Sequence, residues 1–84
     1  RLDGACNNAG IGAAGGKLAD MPGDSFDAMF DINVRGVFLS MKHEIRQFLK
    51  QGGDGAVVNC SSIQAHVTIA GSGHYPATKH AVEG

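Results

Sequence analysis

The sequence lacks most of the features that would announce a partner. It has no basic cluster: seven Lys and Arg stand against eight Asp and Glu, for a net charge of −1. Neither nucleic acid nor an anionic membrane surface is therefore an expected partner. No apolar run approaches the ~20 residues that a membrane span takes, and the first residues do not read as a signal peptide. The two cysteines, Cys6 and Cys60, sit in apolar, strand-like runs. That context leads us to expect buried free thiols in a reducing, cytoplasmic compartment, with a disulfide between neighbouring strands as the alternative. His43, His66, His74 and His80 show no paired ligand spacing, and no Cys-x-x-Cys motif accompanies them. No metal site is expected. An initiator Met is missing too; the chain opens inside an apolar element and stops two residues after Val82. It is expected to be cut from something longer.

What is present fits a globular piece. Hydrophobic residues make up 43% of the 84 residues and charged ones 18%, which suits a packed chain of at most one small domain. The 13 glycines are about twice the usual share and gather in loops, at Gly10–Gly16, Gly52–Gly55 and Gly71–Gly73.

The run from Leu2 to Cys6 is short and apolar, and Asn7-Asn8-Ala9-Gly10 follows it as a turn, so a strand ends here. Met21-Pro22-Gly23 is a second break, after which Asp24 is a candidate helix N-cap with Asp27 at the third helical position. From Ser25 to about Gln51 the apolar residues recur mostly at steps of three and four, among them Phe26, Met29, Phe30, Val34, Phe38, Met41, Ile45 and Phe48. This predicts one long amphipathic helix, or two nearly continuous ones, ended by Gly52-Gly53. Arg35, Lys42, Glu44, Arg46 and Lys50 are expected on its solvated face. Ala56 to Cys60 reads as a buried strand, and a final helix carries Tyr75, Lys79 and Val82, with Pro76 tolerated in its first turn. The order strand, helix, strand, helix argues for an α/β fold with a parallel sheet. In such sheets ligands bind beyond the carboxyl ends of the strands, where Asn7–Gly10 and Ser61-Ser62 both fall.

The chemistry gathers between Ser62 and Lys79. Tyr75 stands four residues before Lys79, so on a helix the phenol and the ammonium share one face, a turn apart. A nearby cation favours the phenolate, which turns a tyrosine into an acid/base group usable nearer neutral pH. A hydroxyl at a strand's carboxyl end, such as Ser62, can hydrogen-bond the same substrate oxygen. Tyr-x-x-x-Lys by itself is common on helices, and a lone serine is usually a turn or cap residue. Asn33, between Ile32 and Val34 near the apolar stripe, is either a surface or helix-bending asparagine or an inward polar group that needs partners.

Taken together, Asn7-Asn8-Ala9-Gly10, Asp31-Ile32-Asn33-Val34, Val58-Asn59-Cys60-Ser61-Ser62 and Tyr75-Pro76-Ala77-Thr78-Lys79 resemble the short-chain dehydrogenase/reductase family, in the family's order and over nearly the whole chain. The resemblance implies that residues 1–84 are part of a doubly wound, parallel-sheet Rossmann fold binding NAD or NADP. The family's glycine-rich pyrophosphate loop and its carboxyl-terminal substrate region are not among these residues. It implies a hydride transfer between nicotinamide and a secondary alcohol or ketone, with Tyr75 as general acid/base. Ser62, selected over Ser61 by the thirteen-residue spacing to Tyr75, would orient the substrate oxygen. Lys79 would support the phenolate and hold the nicotinamide ribose, Asn33 would fix a water in a relay to Lys79, and Tyr75 together with Asn7, Asn8, Ala9 and Gly10 would also lie against the cofactor. Gln64 and His66 would line the substrate pocket. The full-length protein would form a homodimer or homotetramer. A truncated, non-catalytic binding fragment of the same family is the alternative, and a sugar-nucleotide epimerase of its extended branch a third reading.

Overall fold

The computed structural model describes residues 1–12 and 15–84, so residues 13 and 14 of the expected Gly10–Gly16 loop lie outside the described residues. Gly4–Asn7 forms strand β1 and Ala56–Asn59 forms strand β2. They pair in parallel with Gly4 opposite Ala56 and Asn7 opposite Asn59. Between them run helix α1, Gly23–Phe30, a π-helical turn at Asp31–Arg35, and helix α2, Gly36–Gln51, as one continuous rod. Helix α3, His74–Glu83, follows β2. Short 3-10 turns at Leu18–Asp20 and Ile63–Ala65 complete the described elements.

The sheet has one covered face. Ala5, Asn7, Val57 and Asn59 are half-buried while Gly4, Cys6, Ala56 and Val58 are exposed, the period-two alternation of strands packed on one side. Helix α2 is the cover. Its buried Phe48 lies under Gly55, where an added Cβ would fall about 2.5 Å from the ring carbons, so only glycine lets the chain enter β2 at this height. At the far end, the Gln51 amide donates to Leu2 O at 2.7 Å and accepts from Leu2 N at 2.6 Å, completing the lead-in to β1. Gly52, at φ 73°, closes α2 in the left-handed conformation that a side chain would resist.

Several expectations need correction. The first strand begins at Gly4, not Leu2, and includes Asn7, which pairs in register with Asn59 and whose carbonyl accepts from Cys60 N; its side-chain amide also donates to Asn59 Oδ1 at 2.9 Å and to a Glu44 carboxylate oxygen at 3.1 Å. Glu44 therefore does not belong to the solvated face. Helix α1 begins at Gly23 with Pro22 as the preceding residue, and Asp24 lies inside the first turn, accepting from Ser25 N at 2.9 Å, so it is not the cap. The thiols are not buried: Cys6 is exposed, Cys60 is half-buried, and both are free. They lie on strand runs whose alternate face α2 does not reach. The Cys60 thiol beside it, with a smaller contribution from burial, holds the Cys6 thiol above its ordinary pKa.

The hydrophobic core of the described residues is small, consisting of Met29, Phe48 and Ala65. Phe38, Leu49, Val58 and Ile63 are 62%, 75%, 61% and 73% exposed. The radius of gyration, 15.0 Å, exceeds the roughly 12 Å of a compact domain of this length. The 84 residues produced as an isolated peptide are expected to self-associate through these surfaces. Light scattering with thermal melting checks this, and a monomer that melts sharply and cooperatively would contradict it.

Candidate active site

The π turn sets the site. One additional residue per turn in the rod between the strands falls at Asp31–Arg35 and carries Asn33 inward, where it is 1% exposed. Its amide behaves like a strand partner for the chain leaving β1: Asn33 Oδ1 accepts from Ile11 N at 2.8 Å, and Asn33 Nδ2 donates to Ile11 O at 2.8 Å. Nδ2 has a second hydrogen, and Thr78 Oγ1 stands 3.2 Å away to accept it, with Met29 Sδ at the same distance. Thr78, fully buried, spends its own hydroxyl proton on Tyr75 O at 2.7 Å. A chain of directed bonds thus runs from the turn after β1, through Asn33 and Thr78, to the backbone of Tyr75. Of the two readings of Asn33 left open by pattern, the inward polar group is the one found.

Lys79 lies on the next turn of α3. It is 7% exposed, its Nζ donates to Cys60 O at 3.1 Å, and it stands 5.8 Å from the centroid of the Tyr75 ring. Cys60 is the first residue past β2, and its N donates to Asn7 O at 3.0 Å, so the carboxyl ends of both strands and the lysine are tied through one residue. Gly10 closes against the same place: a Cβ there would come 3.2 Å from Asn33 Oδ1 and 3.6 Å from Lys79 Nζ. Its lack of a side chain brings backbone, amide and ammonium together. Asn8 Oδ1 accepts from Cys60 Sγ at 3.1 Å, which fixes the middle of the Asn7–Gly10 turn.

The two serines diverge. Ser61 Oγ donates to Glu83 Oε1 at 2.8 Å, at the far end of α3. Ser62 caps the Ile63–Ala65 turn, its Oγ accepting from Gln64 N at 3.2 Å, and so it keeps its hydroxyl proton to give elsewhere. Gln64 is half-buried, and its Oε1 accepts from Ser72 Oγ at 2.8 Å. His66 turns to Glu83, with Nε2 2.9 Å from Oε2. Glu83 is eight residues beyond Tyr75, about 12 Å along the helix axis. The structure thus gathers Asn33, Tyr75, Lys79 and Gly10 around one bonding chain, sets Ser62 and Gln64 in the loop before α3, and pairs His66 elsewhere.

The donor set suits a vicinal diol such as a nucleotide ribose. Lys79 Nζ has three N–H donors and Cys60 O uses one; no other acceptor takes them among the described residues. The side-chain-free Gly10 beside it leaves room for close approach.

A family model described as enoyl-(acyl carrier protein) reductase matches residues 1–84, the whole chain. The relatives it aligns with include short-chain dehydrogenase reductase 4 of Arabidopsis thaliana, 36% identical over 84 residues. The chain belongs to the short-chain dehydrogenase/reductase family. Within that family, 2,5-dichloro-2,5-cyclohexadiene-1,4-diol dehydrogenase of Sphingobium indicum is 43% identical over 83 residues, covering 99% of this chain and 33% of the relative. Among solved structures, carveol dehydrogenase of Mycobacterium avium in complex with NAD superposes with a TM-score of 0.92 at 36% identity, covering 98% of this chain and 30% of that one. ElxO with NADP bound gives 0.90 at 38%, covering 98% and 33%. The chain spans about a third of the length of these relatives. Its fold is accordingly an α/β segment of the family's parallel-sheet Rossmann architecture.

Sequence reasoning assigned no role to two residues that make central contacts in this structure. Thr78 carries the bond between Asn33 and Tyr75, and its signal was its place three residues after Tyr75, on the turn that Asn33 faces. Glu44 anchors Asn7, and nothing in its charged surroundings distinguished it.

Asn33→Ala in the full-length protein would strand Ile11 N–H and Ile11 C=O and remove the donor to Thr78 Oγ1, and is expected to destabilise by about 2–4 kcal/mol, read by urea denaturation. A change within error would show that water replaces the amide. Glu83 offers a pH test. The Ser61 hydroxyl first, and the His66 ring beside it, hold its carboxyl below the usual carboxylate range. A lowered folded-state value adds stability above the unfolded pKa of about 4.3, and that stability is lost as pH falls through the lowered value. Glu83→Gln is expected to flatten the acid limb of a stability–pH curve below about pH 5; an unchanged limb would mean that the two contacts carry no net linkage.

Proposed function

We propose that the protein containing this chain is an NAD(P)-dependent oxidoreductase that moves a hydride between a nicotinamide cofactor and a secondary alcohol or ketone, and that residues 1–84 form the central, catalytic part of its Rossmann-type domain. The observation that carries this is the fixed Tyr75–Lys79 face: Lys79, buried and anchored on Cys60 O, holds its cation 5.8 Å from the Tyr75 ring while Thr78 and Asn33 hold the Tyr75 backbone. The relatives' names point the same way. They include a diol dehydrogenase and the levodione reductase of Leifsonia aquatica, 36% identical over 84 residues.

On this reading, Tyr75 exchanges a proton with the reacting oxygen. The Lys79 cation stabilises the negative charge the phenol carries during that exchange, and Ser62 gives its free hydroxyl proton to the same oxygen as a hydrogen bond. The cofactor supplies the hydride chemistry. This chain's residues orient it: the spare Lys79 N–H donors toward its ribose, and Asn7, Asn8, Ala9 and Gly10 along its edge. The role of Asn33 in fixing a water of a relay to Lys79 belongs to this proposal; its side-chain amide is itself bonded to Ile11 and Thr78. Gln64 is the stronger of the two substrate-contact candidates, since Ser72 engages one side of its amide and the other has no partner among the described residues; His66 is held by Glu83. A cytoplasmic homodimer or homotetramer is part of the same reading, with the exposed Phe38 and Ile45 on α2 available to a partner. The 84 residues alone, with their small core, would form an inactive piece of it.

In the full-length protein, Tyr75→Phe is expected to lower kcat by at least about 10²-fold, the range of a lost general acid/base, with the dissociation constant for NADH or NADPH unchanged within error. Steady-state kinetics on a panel of secondary alcohols, with fluorescence titration of the cofactor, check both parts. Unchanged turnover would remove Tyr75 from the mechanism.

A further inference from the structure

His74, directly before Tyr75, is 4% exposed and unused in the scheme above. Its Nε2 lies 3.2 Å from Ser25 Oγ on α1, and its Nδ1 is buried with no hydrogen-bond partner, the one such side-chain atom among the described residues. A cavity of about 130 Å3, lined in part by Lys17, Asp20, Pro22, Ser25 and His74, adjoins the ring. Packing therefore does not hold the imidazole on every side, and the Ser25 bond is what orients it. Ahead of Tyr75 the ties are few: Gly73 provides no side-chain cap, the lead-in turns through Gly71 at φ 84°, and Ser72 Oγ donates to Gln64 Oε1 in the loop. A further tie to the lead-in, Gly16 N to Gly71 O at 2.7 Å, comes from the same 15–25 segment that carries Ser25. Thr78 and Lys79 are anchored one turn later, to Asn33 and Cys60.

We propose that His74 is a positioning residue for Tyr75: through Ser25 it clamps the first turn of α3 to α1 and so sets where the phenol stands relative to Ser62 and the substrate. The inference rests on the reading of Tyr75 as acid/base. Proton transfer tolerates little displacement, and about 1 Å of misplacement costs up to 10²-fold in rate, whereas cofactor affinity depends on groups anchored further along. Losing the clamp therefore lowers kcat and leaves cofactor binding intact. The two ring nitrogens make the test specific. Glutamine places its amide where Nε2 lies and asparagine where Nδ1 lies, so only glutamine restores the bond to Ser25.

The experiment uses full-length protein, with kcat on a secondary alcohol, NADH or NADPH titration and melting temperature measured for His74→Asn, His74→Gln, Ser25→Ala and the double variant Ser25→Ala/His74→Asn, and Tyr75→Phe as control. The expected result is a loss of about ten-fold or more in kcat for His74→Asn and for Ser25→Ala, no further loss in the double variant, recovery of most of it in His74→Gln, and cofactor dissociation constants within two-fold throughout. Should His74→Asn not fold, Ser25→Ala alone decides between the outcomes. Undiminished kcat in Ser25→Ala, or equal losses in the glutamine and asparagine variants, overturns the clamp while Tyr75→Phe remains inactive. An active Tyr75→Phe variant instead overturns the reading beneath it.

Discussion

The buried amide of Asn33 is the constraint on which the rest of the site depends. A primary amide in the interior must satisfy one carbonyl oxygen and two N–H groups, and only a few placements around it can do so. Here the chain leaving β1 supplies both a donor and an acceptor at Ile11, and α3 supplies an acceptor at Thr78. Meeting all three ties the exit of β1, the middle of the long helical rod and the first turns of α3 to one another. The π turn gives the local means, since the additional residue at Asp31–Arg35 rotates the rod so that a polar residue faces inward within an otherwise apolar stripe.

A second polar seam runs under the strand ends. Asn7 and Asn59, opposite each other in the parallel register, share a side-chain bond, while Glu44 of α2 accepts the other amide hydrogen of Asn7 and Met41 Sδ accepts one from Asn59. Both strands therefore stop at the same height above α2, and the turns that follow them open on one side. Cys60 then joins Asn7 O, Asn8 Oδ1 and Lys79 Nζ through its N–H, its thiol and its carbonyl. Lys79 is thus positioned by a backbone carbonyl rather than by a side chain.

The serine pair shows how tertiary contacts sort residues that look alike. Ser61 and Ser62 are adjacent and chemically identical, and alternation sends them opposite ways: one is consumed by Glu83, the other caps a short turn and retains its proton. Gln64 and His66 divide in the same manner, the first held beside Ser62 by Ser72 and the second drawn to the far end of α3. Two residues apart in a loop, they differ because only one has a carboxylate within reach.

The order of elements, the parallel pairing and the one-turn spacing of Tyr75 and Lys79 were determined by the sequence itself, because apolar periodicity, glycine breaks and a four-residue step are local properties of the chain. The motif from Tyr75 to Lys79 becomes a shared face on any helix. Other features were decided only by tertiary structure: the inward turn of Asn33, its bond to Thr78, the capture of Asn7 by Glu44, the placing of His74 against Ser25, and the exposure of Cys6. Each of these depends on partners 22 to 49 residues away or on which sheet face a helix covers. Hydrogen-bond demand can be read from a residue's chemistry, but its satisfaction is a property of what folding brings within about 3 Å.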